Sequence, residues 1–318
     1  MTVNDHLMTR DRKLAYAALI GNMVLWALAI PLAKRGFADG LTPSTFLLGR
    51  FILAAIISLP IVISLCRHAN VANIFKIKNL STIFALEILG TVLSLLFLYE
   101  GVTRTTAVEA SLIAVTFPIF VTIGGVLFLK EKEEFHELIG LTLAIAGTTL
   151  LVAGPVANGF YGGSLTGNLM IVAQNIAIAA YYLLAKRFYQ PFNKWAVTHL
   201  SFWVGILGFG SIQLLQGTSP IASLTSLWTN PSPWPLIATA YMAIGGSVLG
   251  LTLYLIGQNK IEASEAAVFT YLEPLIGIPA AMILLSETVT PLQIIAALII
   301  AIGVYLAEIR PKTSLPAT

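Results

Sequence analysis

The stretch Leu98–Gly154, LYEGVTRTTAVEASLIAVTFPIFVTIGGVLFLKEKEEFHELIGLTLAIAGTTLLVAG, decides the fold because the chain carries it twice. At an offset of 156 positions, Gly101, Ala107, Glu109, Ala110, Pro118, Glu131, Ile139, Gly147 and Leu150 fall without a gap on Gly257, Ala263, Glu265, Ala266, Pro274, Glu287, Ile295, Gly303 and Leu306. Arg104 meets Lys260, and Gly90 and Leu93 meet Gly246 and Leu249, so the register reaches back into the preceding apolar segment. The front of each half pairs at an offset of 152, which brings Leu32-Ala33-Lys34-Arg35 onto Leu184-Ala185-Lys186-Arg187 and Asn22-Met23 onto Gln174-Asn175. A short insertion in the loop before Trp234 reconciles the two offsets. Self-similarity at one fixed period marks a duplicated architecture.

Of the 318 residues, 57% are hydrophobic and 10% charged, with a mean hydropathy of +0.86. A soluble domain carries about a quarter charged residues. Nearly every segment between short polar breaks is long enough to cross about 30 Å of hydrocarbon. Ten can be drawn, at 14–33, 45–66, 80–101, 107–129, 137–154, 166–187, 196–216, 235–257, 266–285 and 291–307. In lipid only a helix satisfies its own backbone groups. The expectation is therefore an all-α polytopic membrane protein of ten transmembrane helices in two inverted five-helix repeats, 14–154 and 166–308. A loop at 155–165 joins the repeats, and tails at 1–13 and 309–318 flank them. Thr42-Pro43 and Thr290-Pro291 read as an N-cap followed by proline in the first helical position, and Glu133 and Glu134 suit a helix's positive end. Arg10, Arg12 and Lys13 ahead of an apolar run imitate a signal peptide, but Leu14–Ala33 has its own duplicate at 166–187 and is expected to belong to the mature fold.

A net charge of +3 says less than where the charges lie. With the N-terminus inside, 14 of the 18 Lys and Arg residues fall on the cytoplasmic side, which leaves Lys34, Arg35, Arg50 and Arg104 on or toward the other. That bias predicts a multi-pass inner (plasma) membrane protein with both termini cytoplasmic. Five helices per repeat is an odd number, so the second copy enters the membrane upside down, and two halves of similar shape can exchange conformations around a shared site.

Two repeats of five helices, each with a small-residue-rich third and fourth helix, a proline in the fourth and a Glu at the join to a fifth with spaced glycines, resemble the EamA family of the drug/metabolite transporter superfamily. The residues that carry the resemblance are Leu127-Phe128-Leu129-Lys130-Glu131 through Gly140 and Gly147, and Leu284-Leu285-Ser286-Glu287 through Ala296 and Gly303. Ala296 stands where the family commonly has Gly. The resemblance covers residues 14–308 and implies a secondary transporter for amino acids or other small metabolites, with relatives that carry nucleotide-linked or phosphorylated sugars. Highly phosphorylated cargo is disfavoured by the residues, since Arg50 is the chief basic group inside the membrane. The reading is export of a neutral or aromatic amino acid; another metabolite, a passive channel or a scramblase are the alternatives.

Ionisable groups inside hydrocarbon are costly and mark candidate sites. Glu87 and Glu273 each lie about 10 Å deep from the cytoplasmic side at 1.5 Å per residue, and their repeat counterparts, Ala243 and Phe117, are apolar. A carboxylate withdrawn from water holds a proton more tightly, which suits either a coupling proton or a substrate amine. The alternative is a hydrogen bond from a neighbouring helix. Arg50, about 8 Å from the outer face, pairs with Glu100 or Glu109 as a gate, or reaches the headgroups. Glu131 and Glu287 are read first as caps for the next helix, with a gating ion pair as the sharper alternative.

Pro118 and Pro274 hold equivalent repeat positions and are expected to kink their helices and expose carbonyls to a central cavity. Pro31, Pro60 and Pro279 lack repeat support. Asn22, Trp26, Gln174, Asn175 and Tyr182 lie near mid-depth along the first helix of each half, and Tyr99, Phe117, Tyr254 and Tyr271 extend the set. Amides and rings suit a zwitterionic or aromatic small molecule, although each ring taken alone also suits packing. Trp228 and Trp234 read as interfacial anchors, and Gly140-Ala144-Gly147 and Gly246-Gly250 as close-packing ridges, within the monomer or in a homodimer.

The single cysteine, Cys66, excludes an intramolecular disulfide, and His6, His68, His136 and His199 show no metal-ligand spacing. The Asn79-Leu80-Ser81 sequon falls on the cytoplasmic side. No phosphate-binding glycine loop, ATP-binding motif, clustered catalytic set or nucleic-acid patch is present. No cofactor, metal or enzymatic activity is expected; the partners are the bilayer, a small-molecule substrate and a coupling ion, with the proton as candidate.

Overall fold

The computed structural model describes residues 3–66, 73–129, 135–157, 164–258, 269 and 272–308. Among the described residues the regular elements are helices, with no strand. The first rod is α1 (Val3–Ala27) and α2 (Ala29–Ala38), interrupted at Leu28. Pro31 has no N–H for the Ala27 carbonyl, and the chain loosens there before Leu32 N–H bonds Leu28 O and resumes the helix. Next comes α3 (Pro43–Cys66), capped by the Thr42 hydroxyl, which accepts Thr45 N–H at 3.3 Å.

The third rod runs from α4 (Ile77–Glu87) through a π-helical stretch, Ile88–Leu93, to α5 (Ser94–Arg104). Then follow α6 (Ala107–Ala114), α7 (Phe117–Leu129) and α8 (Phe135–Ala157). The second half has α9 (Leu165–Phe188), α10 (Lys194–Leu215), the short α11 (Pro220–Thr229), and α12 (Trp234–Tyr241) leading through a second π-helical stretch, Met242–Leu249, into α13 (Gly250–Gln258). It ends with α14 (Leu272–Leu285) and α15 (Pro291–Glu308). Shifted by the repeat offset of 156, Ile88–Leu93 lands inside Met242–Leu249, so both halves widen at the same point of the same rod.

Among the described residues 7 helices are long and apolar enough to cross a membrane, and three shorter apolar helices, Leu138–Ala153, Leu272–Leu285 and Pro291–Leu306, occupy further segments drawn from the sequence. This is an all-α polytopic membrane protein. Exposed Leu, Ile and Phe cover the rods, including Leu127, Phe128, Leu215 and Ile283, as a lipid-facing surface requires.

The halves pack across one another. The α1 rod lies against α13 while α5 lies against α9, α3 pairs with α10, α8 with α15, and α6 with α14. Exchanging the halves converts the first pair into the second and returns the α3–α10 and α8–α15 pairs to themselves. This is the pairing that a two-fold relation between the halves produces.

The expectation for Pro118 changes in the structure. Pro118 sits in the first turn of α7 and Pro274 in the first turn of α14. The expected kink at Pro118 is a complete break at Val115–Thr116, after which proline begins a new helix where its missing N–H is no loss. The residues before α14 that would show the counterpart, among them Tyr271, lie outside the described residues, as does Glu131.

Candidate functional site

The break in the fourth rod puts free backbone inside the bundle, and α9 answers it. Asn175 Nδ2 donates to Ile113 O at 2.8 Å and to Thr116 Oγ1 at 3.1 Å, while the Thr116 hydroxyl donates to Ile113 O at 2.7 Å. Tyr182 lies two turns further along α9, and its ring meets Phe117 edge-on at 6.1 Å. Tyr182 lies beside Tyr254 of α13, whose ring lies 5.6 Å from Trp26 of α1. Four of the aromatic residues singled out in the sequence thus form one continuous run across α7, α9, α13 and α1, spanning both halves.

The π-helical stretches supply its anchors. A π turn leaves carbonyls without their usual partners, and first-helix side chains take them: Trp26 Nε1 donates to Gly246 O at 3.0 Å and Asn22 Nδ2 to Gly250 O at 2.9 Å. Asn22 Oδ1, Gln174 Oε1 and Asn175 Oδ1 are buried without a hydrogen-bond partner among the described residues.

Glu87 ends α4 just before the first π stretch and is 1% exposed. It accepts from Thr91 at 2.6 Å and from the Tyr181 and Tyr189 hydroxyls at 2.9 Å each. Of the readings weighed for Glu87, the geometry realises the interhelical hydrogen bond, with three donors on one carboxylate. Gly90 makes room for it, because a Cβ there would run into the Tyr181 ring.

Arg50 reaches inward from α3. Its Nε donates to Ser247 Oγ at 2.8 Å, its guanidinium lies 5.1 Å from the centre of the Phe51 ring, and Ser247 in turn donates to Met242 O at 3.0 Å. It pairs with neither Glu100 nor Glu109: Glu100 is held by Arg104 one turn away and Glu109 by uncharged groups. Tyr99 packs its ring against Phe46 at 4.8 Å and Phe37 at 6.1 Å. Arg50 and Glu273 are each half-buried.

A second cluster closes the end of the bundle at which α2, α5 and α14 finish. Glu287 accepts the N–H groups of Ala107 at 2.8 Å and Val108 at 3.0 Å, and the Thr106 hydroxyl accepts Glu109 N–H at 3.0 Å. All three leading donors of α6 are thereby satisfied. Glu287 was expected to cap the next helix, α15, but that helix caps itself: Thr290 N–H bonds Gln293 Oε1 at 2.9 Å and Gln293 N–H bonds Thr290 Oγ1 at 3.3 Å. Glu287 is thus left for the other half.

Lys34 Nζ donates to Val102 O at 3.0 Å and to Thr105 O, the trailing carbonyls of α5. A cation on one helix's negative end and an anion on the next helix's positive end hold the turn between them. Replacing Glu287 with Ala strands two N–H groups, so Glu287→Ala is expected to lower stability by about 2 kcal/mol, read as the shift in the unfolding midpoint in detergent; Glu287→Gln, which keeps one acceptor, falls between.

Glu109 completes this end. It is 4% exposed, and its carboxylate accepts Asn168 Nδ2 of α9 at 2.9 Å and Gln293 Nε2 of α15 at 3.1 Å. Thr105 Oγ1 lies 2.6 Å from Glu109 Oε2 and also against Asn168 Oδ1, and its one proton serves one of them at a time. Outside the membrane segments, Arg35 pairs with Asp39 at 3.1 Å and lies 5.5 Å from the Trp234 ring, tying Trp234 into a loop contact, while Trp228 stays 75% exposed, as an interfacial anchor would be. A groove of about 720 Å³ lined by Val115, Pro274, Leu275, Gln293, Ile294 and Leu298 is almost wholly apolar.

The EamA-like transporter family model matches residues 13–153 and 165–308. The uncharacterized transporter YetK of Bacillus subtilis is 26% identical over 69% of this chain, and the match spans 64% of YetK, just under two thirds of its length. YdfC of the same organism, also an uncharacterized transporter, is 24% identical over 93% of this chain and 90% of its own. A Salmonella typhimurium protein named as a probable amino-acid metabolite efflux pump is 27% identical over 62% of this chain and 66% of that one. One solved structure shares the fold at a TM-score of 0.57 and 17% identity, covering 92% of this chain and 96% of that one. With both halves of the duplication matched and the rods paired across them, the chain belongs to the EamA-like transporter family.

Proposed function

We propose that this protein exports a neutral or aromatic amino acid by alternating access, as a ten-helix inner-membrane carrier with both termini cytoplasmic and protons as coupling ion. The observation that carries this reading is the run Phe117–Tyr182–Tyr254–Trp26 beside the broken backbone at Val115–Thr116, because it joins both halves at one place. Aromatic faces with a few fixed polar groups suit a small organic zwitterion. Broken helices at a repeat interface are where such carriers place their sites. The name of the Salmonella relative supports the same cargo class, and relatives that are transporters fit a chain without enzymatic activity.

Counterflow in proteoliposomes tests the reading. Vesicles preloaded with unlabelled amino acids and metabolites are given labelled ones at two pH values. Saturable uptake of neutral or aromatic amino acids, stimulated by the preload and altered by pH, is the expected result. Non-saturable flux, or exchange confined to phosphorylated metabolites, contradicts it.

A further inference from the structure

The contacts around Glu109 are one hydrogen short. Three buried side chains meet there pairwise: Thr105 Oγ1 lies 2.6 Å from Glu109 Oε2 and 2.5 Å from Asn168 Oδ1, and Asn168 Nδ2 lies 2.9 Å from Glu109 Oε2. Each contact has hydrogen-bond length and needs a hydrogen. With the carboxylate ionised, the Asn168 amide serves the third contact, and the single Thr105 hydroxyl hydrogen serves only one of the other two. Turning the Asn168 amide over does not help. Its nitrogen then serves Thr105, Thr105 serves Glu109, and the amide oxygen faces the carboxylate oxygen with no hydrogen between them.

One hydrogen on Glu109 Oε2 completes the set. The carboxyl donates to Thr105 Oγ1, Thr105 donates to Asn168 Oδ1, and Asn168 Nδ2 donates back to Oε2, so every contact in the ring is served. The other carboxyl oxygen is already assigned. Thr290 N–H holds Gln293 Oε1 at 2.9 Å, which turns Gln293 Nε2 to Glu109 Oε1 at 3.1 Å and leaves Oε2 to carry the hydrogen.

The charges nearby agree. Lys34 of α2 donates to the Val102 and Thr105 carbonyls, and Glu287, ahead of α15, accepts the Ala107 and Val108 N–H groups, so one cation and one anion already bracket the turn. The Glu100–Arg104 pair of α5 is matched within itself. Among the described residues α8, α9, α14 and α15 bring no charged side chain to this end. An ionised Glu109 would be a second buried anion with no cation in contact, and a bound proton removes that cost.

We infer that Glu109 is a proton-binding site, occupied while this end of the bundle is closed and emptied to water when it opens. The hydrogen ties the α5–α6 turn, α9 and α15 into one unit. Its loss sets acceptor oxygens against each other and loosens the turn from α9. The opening rests on the alternating-access reading above and deepens it by giving the proton a residue on which to act.

Infrared difference spectroscopy between wild type and Glu109→Gln, in nanodiscs at neutral pH, reads the proton directly. The expected result is the carbonyl stretch of a protonated carboxyl group, present in wild type and missing in the variant. Thr105→Val, which removes the acceptor for that hydrogen, should move the band to higher frequency and decides the point where the Gln variant does not fold. Spin labels at Thr103→Cys and Thr288→Cys in a Cys66→Ser background read the end itself. Because the closed form holds one proton more, its ratio to the open form should fall by up to about tenfold per unit rise in pH, and Glu109→Gln should flatten that dependence. A carboxylate band in place of the carboxyl band overturns the site. So does a closed-to-open ratio that follows pH equally in wild type and Glu109→Gln, or that ignores pH in wild type. Failure of amino-acid exchange in counterflow strikes the transport reading alone, since neither readout uses a substrate.

Discussion

Glu109→Ala is expected to lower the unfolding free energy by about 3 kcal/mol, the cost of stranding buried donors that lose their acceptor. The side chain is 4% exposed and bonds Asn168 at 2.9 Å, Gln293 at 3.1 Å and Thr105 at 2.6 Å. Those three partners come from α9, from α15 and from the turn before α6, so the deletion leaves unpaired polar groups in both halves at once. Asn168 is 0% and Gln293 5% exposed, and neither can turn to water. Glu109→Gln keeps one carbonyl acceptor and should cost about 1–2 kcal/mol. Chemical unfolding in detergent micelles measures both, and an Ala variant within about 0.5 kcal/mol of wild type, the usual range of an inert substitution, contradicts the network's role.

Gly303→Leu is expected to prevent α8 and α15 from docking. A Cβ at Gly303 would lie 2.7 Å from Gly140 O and 2.9 Å from Ala144 Cα, and it would also meet Ala144 N. These are backbone atoms, so no rotamer change relieves the clash. Across the same interface Gly147 faces Ile300, where a Cβ would come 3.0 Å from the Ile300 N. Membrane helices lack a hydrophobic drive to associate and depend on such close approach. Overpacking of this kind costs about 1–3 kcal/mol for a methyl-sized intrusion and more for a rigid backbone contact. Loss of the monodisperse peak in size-exclusion chromatography is the expected outcome. Gly210→Ala is the control: it meets nothing within 4 Å and should elute as wild type.

Both predictions concern contacts of uneven visibility in the sequence. The Gly140-Ala144-Gly147 ridge is legible because small residues at helical spacing announce themselves, and duplication repeats Gly147 as Gly303. Glu109 is not legible in the same way. Thr106-Ala107-Val108-Glu109 spells a capping box, and half of it forms, with Thr106 accepting Glu109 N–H at 3.0 Å. The other half does not, because Glu287 arrives from 180 positions away to take the neighbouring N–H groups and frees the Glu109 carboxylate to cross to α9 and α15. Local pattern shows what a side chain can do, and the packing of distant helices decides what it does.

The same limit explains Glu87. Its depth marks it as unusual, but the Tyr181 and Tyr189 hydroxyls that hold it lie 94 and 102 positions on. The π-helical stretches have no signal in composition; only the repeated glycines, Gly90 and Gly246, hint that each third rod departs from regularity at one place. The aromatic run is partly legible: depth along the first helices selected Trp26 and Tyr182, but contact with Tyr254 and Phe117 depends on which helices meet. Arg50 shows the opposite outcome. Its expected carboxylate partners were reasonable by depth, and the side chain instead turns inward to Ser247 at 2.8 Å.

The end closed by Lys34, Glu109 and Glu287 must open if the protein works by alternating access, and that claim can be measured directly. Spin labels at Thr103→Cys and Thr288→Cys, both exposed positions flanking the clamp, in a Cys66→Ser background, report the separation of the α5–α6 turn from the α14–α15 loop by double electron–electron resonance in nanodiscs. The account predicts two distance populations, with the balance moved by an exchanged amino acid and moved toward the longer distance by Glu287→Ala. A single distance that neither the amino acid nor Glu287→Ala changes would contradict it.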